Sequence, residues 1–121
     1  LSTSHGEGWG RGAMEALAMQ VPVVATNWSG LTEFVSETVA FPVPVARMVD
    51  APASFGKGHR WADVEAAAVA GRLLEVYHDM AAARDRAERG RQLVLQKYDE
   101  KAMASELVRQ LCEAKAMGGG G

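Results

Sequence analysis

Gly6-Glu7-Gly8-Trp9-Gly10-Arg11-Gly12-Ala13-Met14-Glu15 is the stretch on which the fold and the function turn. It holds four glycines within seven residues, which leaves backbone N–H groups open to a ligand. It then runs into residues 12–20 (GAMEALAMQ), strong helix formers with no β-branched residue. A loop that enters a helix N-terminus offers free N–H groups and the positive end of the helix dipole, a setting for anions or electron-rich oxygens. Glu7 lies in the loop and Glu15 about one turn into the helix. A carboxylate only accepts hydrogen bonds, so paired hydroxyls such as those of a sugar or ribose suit it. Glu15 is the sole charge among Ala13, Met14, Ala16, Leu17, Ala18 and Met19. A helix apolar nearly all round is buried, so Glu15 is expected to be buried or half-buried and to need partners. The plainer alternative pairs Glu15 with a basic residue or solvent and leaves Glu7 as an exposed loop acid.

Working outward, residues 1–3 read as the end of a strand and residues 4–11 as a loop. Val21 to Ala25 is a β-branched run expected as a strand, followed by a loop over 26–30 and a helical turn or two over 31–36. Residues 38–45 suggest short extended segments broken by Pro42 and Pro44, and residues 47–61 read as irregular, with Pro52, Gly56 and Gly58 as turn signals. Asp63 is a candidate cap for a helix to about Tyr77, a second helix covers 79–98, and Asp99 caps a third that runs to about Ala116. Strand–helix alternation predicts an α/β fold with short parallel strands and a helical C-terminal tail. Two or three short strands leave an open sheet edge, and the chain opens on Leu1. Residues 1–117 are therefore expected to be part of a larger domain, with 118–121 a flexible glycine tail.

Composition narrows the classes. Of 121 residues, 48% are apolar and 23% charged, an ordinary globular balance. The net charge of -2 argues against a nucleic-acid partner. No apolar run approaches the ~20 residues of a membrane span. Cys112 is the only cysteine, which excludes an internal disulfide or a cysteine-based zinc cluster.

Two other glycine-loop readings fail in detail. Gly8-x-Gly10-x-x-Ala13 formally matches a dinucleotide fingerprint, but the following strand ends in Thr26-Asn27 rather than the required acid. Glu7 would also repel a pyrophosphate. Gly56-Lys57-Gly58 lacks the upstream glycine and following Ser/Thr of a phosphate loop.

Glu7-Gly8-Trp9-Gly10-Arg11 with Glu15-Ala16-Leu17-Ala18-Met19 resembles the E-x7-E motif of GT-B glycosyltransferases of the family 4, "group 1" type. The resemblance continues through Pro22 to Gly30 and Thr32-Glu33-Phe34, and again at Lys57 to Ala62; it is dense over 4–45, patchy over 46–78 and compositional beyond. It implies a partial Rossmann-like fold, the GT-B C-terminal lobe, which binds a nucleoside-diphosphate sugar as donor. The chain would work with a missing N-terminal lobe that receives an unknown acceptor. It implies retaining transfer with no metal and no other cofactor, and an inactive piece on its own. Carried over by position, Glu7 is the catalytic-site carboxylate near the donor sugar. Gly8, Trp9, Gly10 and Arg11 approach sugar and diphosphate, and Glu15 takes the ribose hydroxyls. Gly12 stands where many relatives have proline, the segment after Trp61 looks shortened, and the family's diphosphate-neutralising Arg and Lys lie upstream. A non-catalytic sugar-nucleotide binder or interaction module is the alternative.

The remaining residues carry plainer expectations. His5 is expected as a solvated loop histidine, and Trp9 to pack beneath the loop rather than stack on a base. Arg11 could face a phosphate or simply be surface. Ser29 and Gly30 form a second strand-to-helix turn, where ligands gather in α/β sheets. Glu33 is expected to be structural, Trp28 and Trp61 to be core, and Cys112 to be a buried, inert thiol. Arg84 to Arg91 reads as a solvated helix face. In the resembling family a C-terminal helix often packs back across the domain junction, a role that by analogy would fall to residues 99–116.

Overall fold

The computed structural model describes residues 1–118. Its centre is a small parallel sheet. Val24–Thr26 forms β1 and Phe41–Val43 forms β2; Val24 pairs with Phe41 and Thr26 with Val43. Ser2 adds a parallel bridge to Ala25 on the other side of β1, so the expected strand end at residues 1–3 is reduced to a single bridge. Successive residues of a strand face opposite sides, and both sides here are covered. Val23 and Ala25 join Ala13, Leu17, Leu31, Phe34, Val35, Val39 and Val94 in one core, while Val24, Phe41, Val43 and Ala83 form a second with Val64, Ala68, Val69 and Val76. Coverage on both faces explains why β1 and β2 are buried at every position rather than at alternate ones. The fold is α/β, as expected.

Three helices supply the covers, α1 (Arg11–Ala18), α2 (Ala66–His78) and α3 (Met80–Lys97), while a fourth, α4 (Glu100–Gly118), follows α3 and is largely exposed. Helix α3 crosses α1 closely because residue 90 is glycine; a Cβ there would lie 2.7 Å from Leu17 Cδ2 and 3.1 Å from the Val39 carbonyl oxygen. Arg91 reaches from the same helix to the Ala18 carbonyl at 2.6 Å, satisfying an orphan acceptor at the end of α1. Gln20 ends α1 in the left-handed region (φ 59°), letting Val21 N–H return to the Ala16 carbonyl at 2.9 Å. Arg86 donates to the Ala40 carbonyl at 3.1 Å and lies over the Phe41 ring, and Arg89 donates to the Thr38 carbonyl at 2.8 Å. The Arg84–Arg91 stretch is thus only partly a solvated face: Arg86, Arg89 and Arg91 tie α3 to the sheet layer, and Ala87 and Gly90 are buried. Asp79 and Asp99 act as caps, accepting from Ala82 N–H at 2.9 Å and from Ala102 N–H at 2.6 Å.

Other expectations are corrected. Residues 47–61 are not irregular. Arg47–Asp50 (β3) and Arg60–Asp63 (β4) form an antiparallel hairpin that places Arg47 opposite Asp63 and Asp50 opposite Arg60. Opposite charges face each other at both ends of the ladder, and Arg47 and Asp63 form a salt bridge. Asp63 therefore ends a strand instead of capping a helix. Helix α2 starts at Ala66, with Glu65 at the cap position and no side-chain cap bond. Cys112 is exposed on α4, and Trp28 is 41% exposed; neither belongs to the core. The tail expected over 118–121 lies, past Gly118, outside the described residues, and Gly118 itself ends α4. No helix among the described residues is long and apolar enough to cross a membrane.

Candidate functional site

The loop from Ser4 to Gly10 leaves the strand end at Ser2 and enters α1, and its shape is held from three sides. The first hold comes from the turn after β1. The Glu7 carbonyl accepts from the Gly30 N–H at 3.0 Å and from the Ser29 hydroxyl at 2.8 Å. Ser29 takes a left-handed φ of 58° to do so. The two turns approach so closely that a Cβ on Gly30 would overlap the Gly8 carbonyl and lie 2.8 Å from Trp9 Cα. Only glycine fits there.

The second hold comes from the β3–β4 hairpin. Ala62 N–H donates to the His5 carbonyl at 3.1 Å, and His5 Nδ1 lies 2.7 Å from the Ala62 carbonyl oxygen. The imidazole stacks on Trp61 with ring centres 4.8 Å apart and planes 6° from parallel, and Phe55 meets the same indole edge-on. His5 is exposed, but it is not the freely solvated histidine expected from the sequence. Its partner lies 57 residues away, in a hairpin read as irregular, so no local signal marked it.

The third hold is Trp9. Its indole N–H points to Met14 Sδ at 3.1 Å, and its ring packs on Phe34 and edge-on with Tyr98. The ring is anchored beneath the loop, as the packing alternative expects, which leaves its backbone N–H as the part available to a ligand.

Gly10 closes the loop. It is buried, sits at the N-cap of α1 with φ 86° and ψ 48°, and would drive a Cβ into Leu31. Left-handed geometry and crowding both require glycine at this position. Gly6, Gly8 and Gly12 differ: none has a positive φ, and a Cβ on any of them meets nothing within 4 Å. No side chain caps α1. Among the described residues the N–H groups of Gly8, Trp9, Gly10, Arg11 and Gly12 find no acceptor.

The two carboxylates sit in different surroundings. Glu7 is half-buried, and its carboxylate has no cation or hydrogen-bond donor among the described residues. Its Oε2 lies 3.2 Å from the position a Cβ on Gly10 would take. With Gly12, Ala13 and Ala16 it lines a cavity of about 360 Å³ that also touches Ser2 and Val23. Glu15, by contrast, is exposed, and Arg11 pairs with it at 3.0 Å. The expectation of a buried Glu15 fails because α1 buries only Ala13 and Leu17 and turns its Arg11, Gly12, Glu15 and Met19 positions outward. The structure therefore brings Arg11 to Glu15, and sets Glu7 beside the α1 face.

Two hydroxyls deepen the strand-end setting. Thr26 Oγ1, at the carboxyl end of β1, and Ser4 Oγ, just past the Ser2 bridge, are buried without a protein partner. Unsatisfied buried hydroxyls are rare, and these two lie at the carboxyl ends of neighbouring parallel strands, where α/β sheets bind ligands. Gly56 and Gly58 owe their presence to the hairpin tip, with φ of 91° and 86°. Among the described residues no group of three or more His, Cys, Asp or Glu side chains is placed to hold a metal ion.

A family model described as "Family 4 Glycosyltransferase in conflict systems" matches residues 1–107. No curated protein matches the chain.

Proposed function

We propose, for a chain that belongs to the family 4 glycosyltransferases of conflict systems, that residues 1–117 are the nucleotide-sugar-binding part of a GT-B enzyme. In this reading the enzyme transfers a sugar from a nucleoside diphosphate to an acceptor with retention of anomeric configuration. Glu7 faces the hydroxyls of the donor sugar. The N–H groups from Gly8 to Arg11 face sugar and diphosphate oxygens, and Glu15 takes the ribose diol.

One observation carries the reading: an unpaired, half-buried Glu7 carboxylate stands beside a row of unpaired N–H groups, on a loop whose Gly6, Gly8 and Gly12 have no conformational or packing need to be glycine. A ligand that must approach the backbone closely supplies that need. Its hydroxyls would also satisfy Glu7, and its electron-rich oxygens the N–H groups. Glycosyl transfer separates charge between an oxocarbenium-like sugar and a departing diphosphate. Fixed donors aimed at the diphosphate stabilise that separation, and a single held pose lowers the entropic part of the barrier. The three holds on the loop supply fixed donors without rearrangement at the moment of reaction.

The Arg11–Glu15 pair does not oppose the Glu15 assignment. An exposed pair at this spacing contributes about 0.3–0.5 kcal/mol, whereas hydrogen bonds to a charged group contribute about 1.5–3 kcal/mol. A ribose diol can therefore displace Arg11, which is then free to turn toward phosphate. Calorimetry of the full-length protein against UDP- and GDP-sugars tests this, with Glu15→Ala as the control. Loss of the diol contacts should weaken donor binding by about 10- to 150-fold. Unchanged affinity in the variant would remove Glu15 from the site. A folded wild-type protein that takes no donor would favour a non-catalytic role.

A further inference from the structure

His5 has no role in the reading above, yet it is the most tightly specified polar side chain of the loop. Its Nδ1 lies 2.7 Å from the Ala62 carbonyl oxygen. A carbonyl can only accept, so Nδ1 carries the proton whatever the charge of the ring. Stacking on Trp61, with planes 6° apart, fixes the orientation of the ring about that bond. The other nitrogen, Nε2, has no hydrogen-bond partner among the described residues, and the residue is exposed. One ring nitrogen is thus occupied in setting the tautomer and orientation of the other, the arrangement by which proteins prepare a histidine for a ligand. His5 stands two residues before Glu7 and three after the Ser2 bridge to β1.

We propose that His5 is a further donor-site residue: its Nε2, oriented by Ala62 and Trp61, hydrogen-bonds a hydroxyl of the donor sugar held by Glu7. The inference rests on the donor-site reading. The hairpin then acts in recognition as well as structure, because it sets the direction of the one loop imidazole. One bound hydroxyl can donate to Nε2 of the neutral ring while a neighbouring hydroxyl of the same sugar donates to the Glu7 carboxylate, so Glu7 and His5 would grip the same sugar from two sides.

Two substitutions separate this role from that of a structural latch. The amide of asparagine can stand in for Nδ1 and keep the bond to Ala62; the amide of glutamine can stand in for Nε2 and reach the ligand. In either variant the Ala62 N–H bond to the residue 5 carbonyl remains. Calorimetry of the full-length protein against its best UDP- or GDP-sugar, with melting temperatures alongside, is the experiment. His5→Gln should bind within about threefold of wild type and His5→Asn at least tenfold more weakly, with His5→Asn melting no lower than His5→Gln. A His5→Asn protein that binds like wild type, or two variants weakened alike, would reduce His5 to a latch and overturn the proposal while the donor site stands. Absence of binding by the folded wild type would overturn the donor-site reading and this inference together. Imidazole ¹⁵N spectra give an independent readout. The Nε2 resonance should move on addition of the sugar nucleotide, and an unmoved Nε2 in a protein saturated with donor would also overturn the proposal.

Discussion

Replacing Gly8 by alanine separates what the fold needs from what the ligand needs. A Cβ at position 8 meets nothing within 4 Å, and the residue does not occupy the left-handed region. The folded protein therefore accepts the methyl group. The unfolded chain loses conformational freedom, which stabilises a protein by about 0.4–1 kcal/mol at a compatible position. For a domain of this size that is a rise in melting temperature of about 1–5 °C. The bound state is different. In the proposed donor complex, a methyl group in the space taken by sugar or diphosphate would cost about 1–3 kcal/mol by analogy with overpacked interiors, or about 5- to 150-fold in affinity. Gly8→Ala should thus be slightly more stable and a much poorer donor binder. Calorimetry and a thermal melt on the same full-length preparation read both quantities. A variant that binds donor like wild type would show that no ligand atom approaches the loop at residue 8. One that melts several degrees lower would show that the glycine serves the fold. Either result would refute the argument that carries the proposed function.

Further outcomes follow from features away from the loop. Gly90→Ala should lose about 1–3 kcal/mol, because its Cβ meets Leu17 Cδ2 at 2.7 Å, and Leu17→Ala about 2–5 kcal/mol as a fully buried side chain. The double variant should lose less than the sum of the two in urea melts, since each change relieves the other; strict additivity would deny the contact. Asp79→Ala removes the α3 cap on Ala82 N–H and should cost about 1 kcal/mol by the same assay, with no measurable loss counting against the cap. The Glu106 carboxyl is pulled down to about 2 by hydrogen bonds from Arg109 and then Gln110. Its folded value lies below its ordinary one, so whatever support the pair gives α4 is complete above about pH 4.5 and is lost as the pH falls through about 2. A carboxyl ¹³C titration should place the midpoint there and move it upward in Arg109→Ala; an ordinary midpoint in the wild type would refute the pairing.

How much of this was legible in the sequence depended on the range of the interactions. The β-branched run before Thr26, the capping aspartates Asp79 and Asp99, and the glycine loop entering a helix all announce themselves within a few residues. The β3–β4 hairpin does not. Its strands are only four residues each, carry charges at both ends and are joined by a tip rich in turn residues. The stabilising pairs, Arg47 with Asp63 and Asp50 with Arg60, become visible only once the register is known. Glu15 misled for another reason. Alanines and methionines make α1 apolar in composition without saying which side is inward, and the close approach of α3 at Gly90 decides that only Ala13 and Leu17 are buried. The contacts that shape the candidate site, Ser29 and Gly30 on Glu7 and Ala62 on His5, join residues far apart in the chain.

Those holds fix the order in which the site can come into being. A chain emerging from the ribosome carries residues 4–15 before the residues that hold them: the carbonyl of Glu7 has no donors until residues 29 and 30 arrive, and the imidazole of His5 has no orienting partner until residues 61 and 62 arrive. Closing such loops is an entropic cost that only later contacts offset. The motif is thus translated long before its geometry exists, and a nascent chain halted before residue 62 would display the full glycine loop while lacking the hold that aims His5.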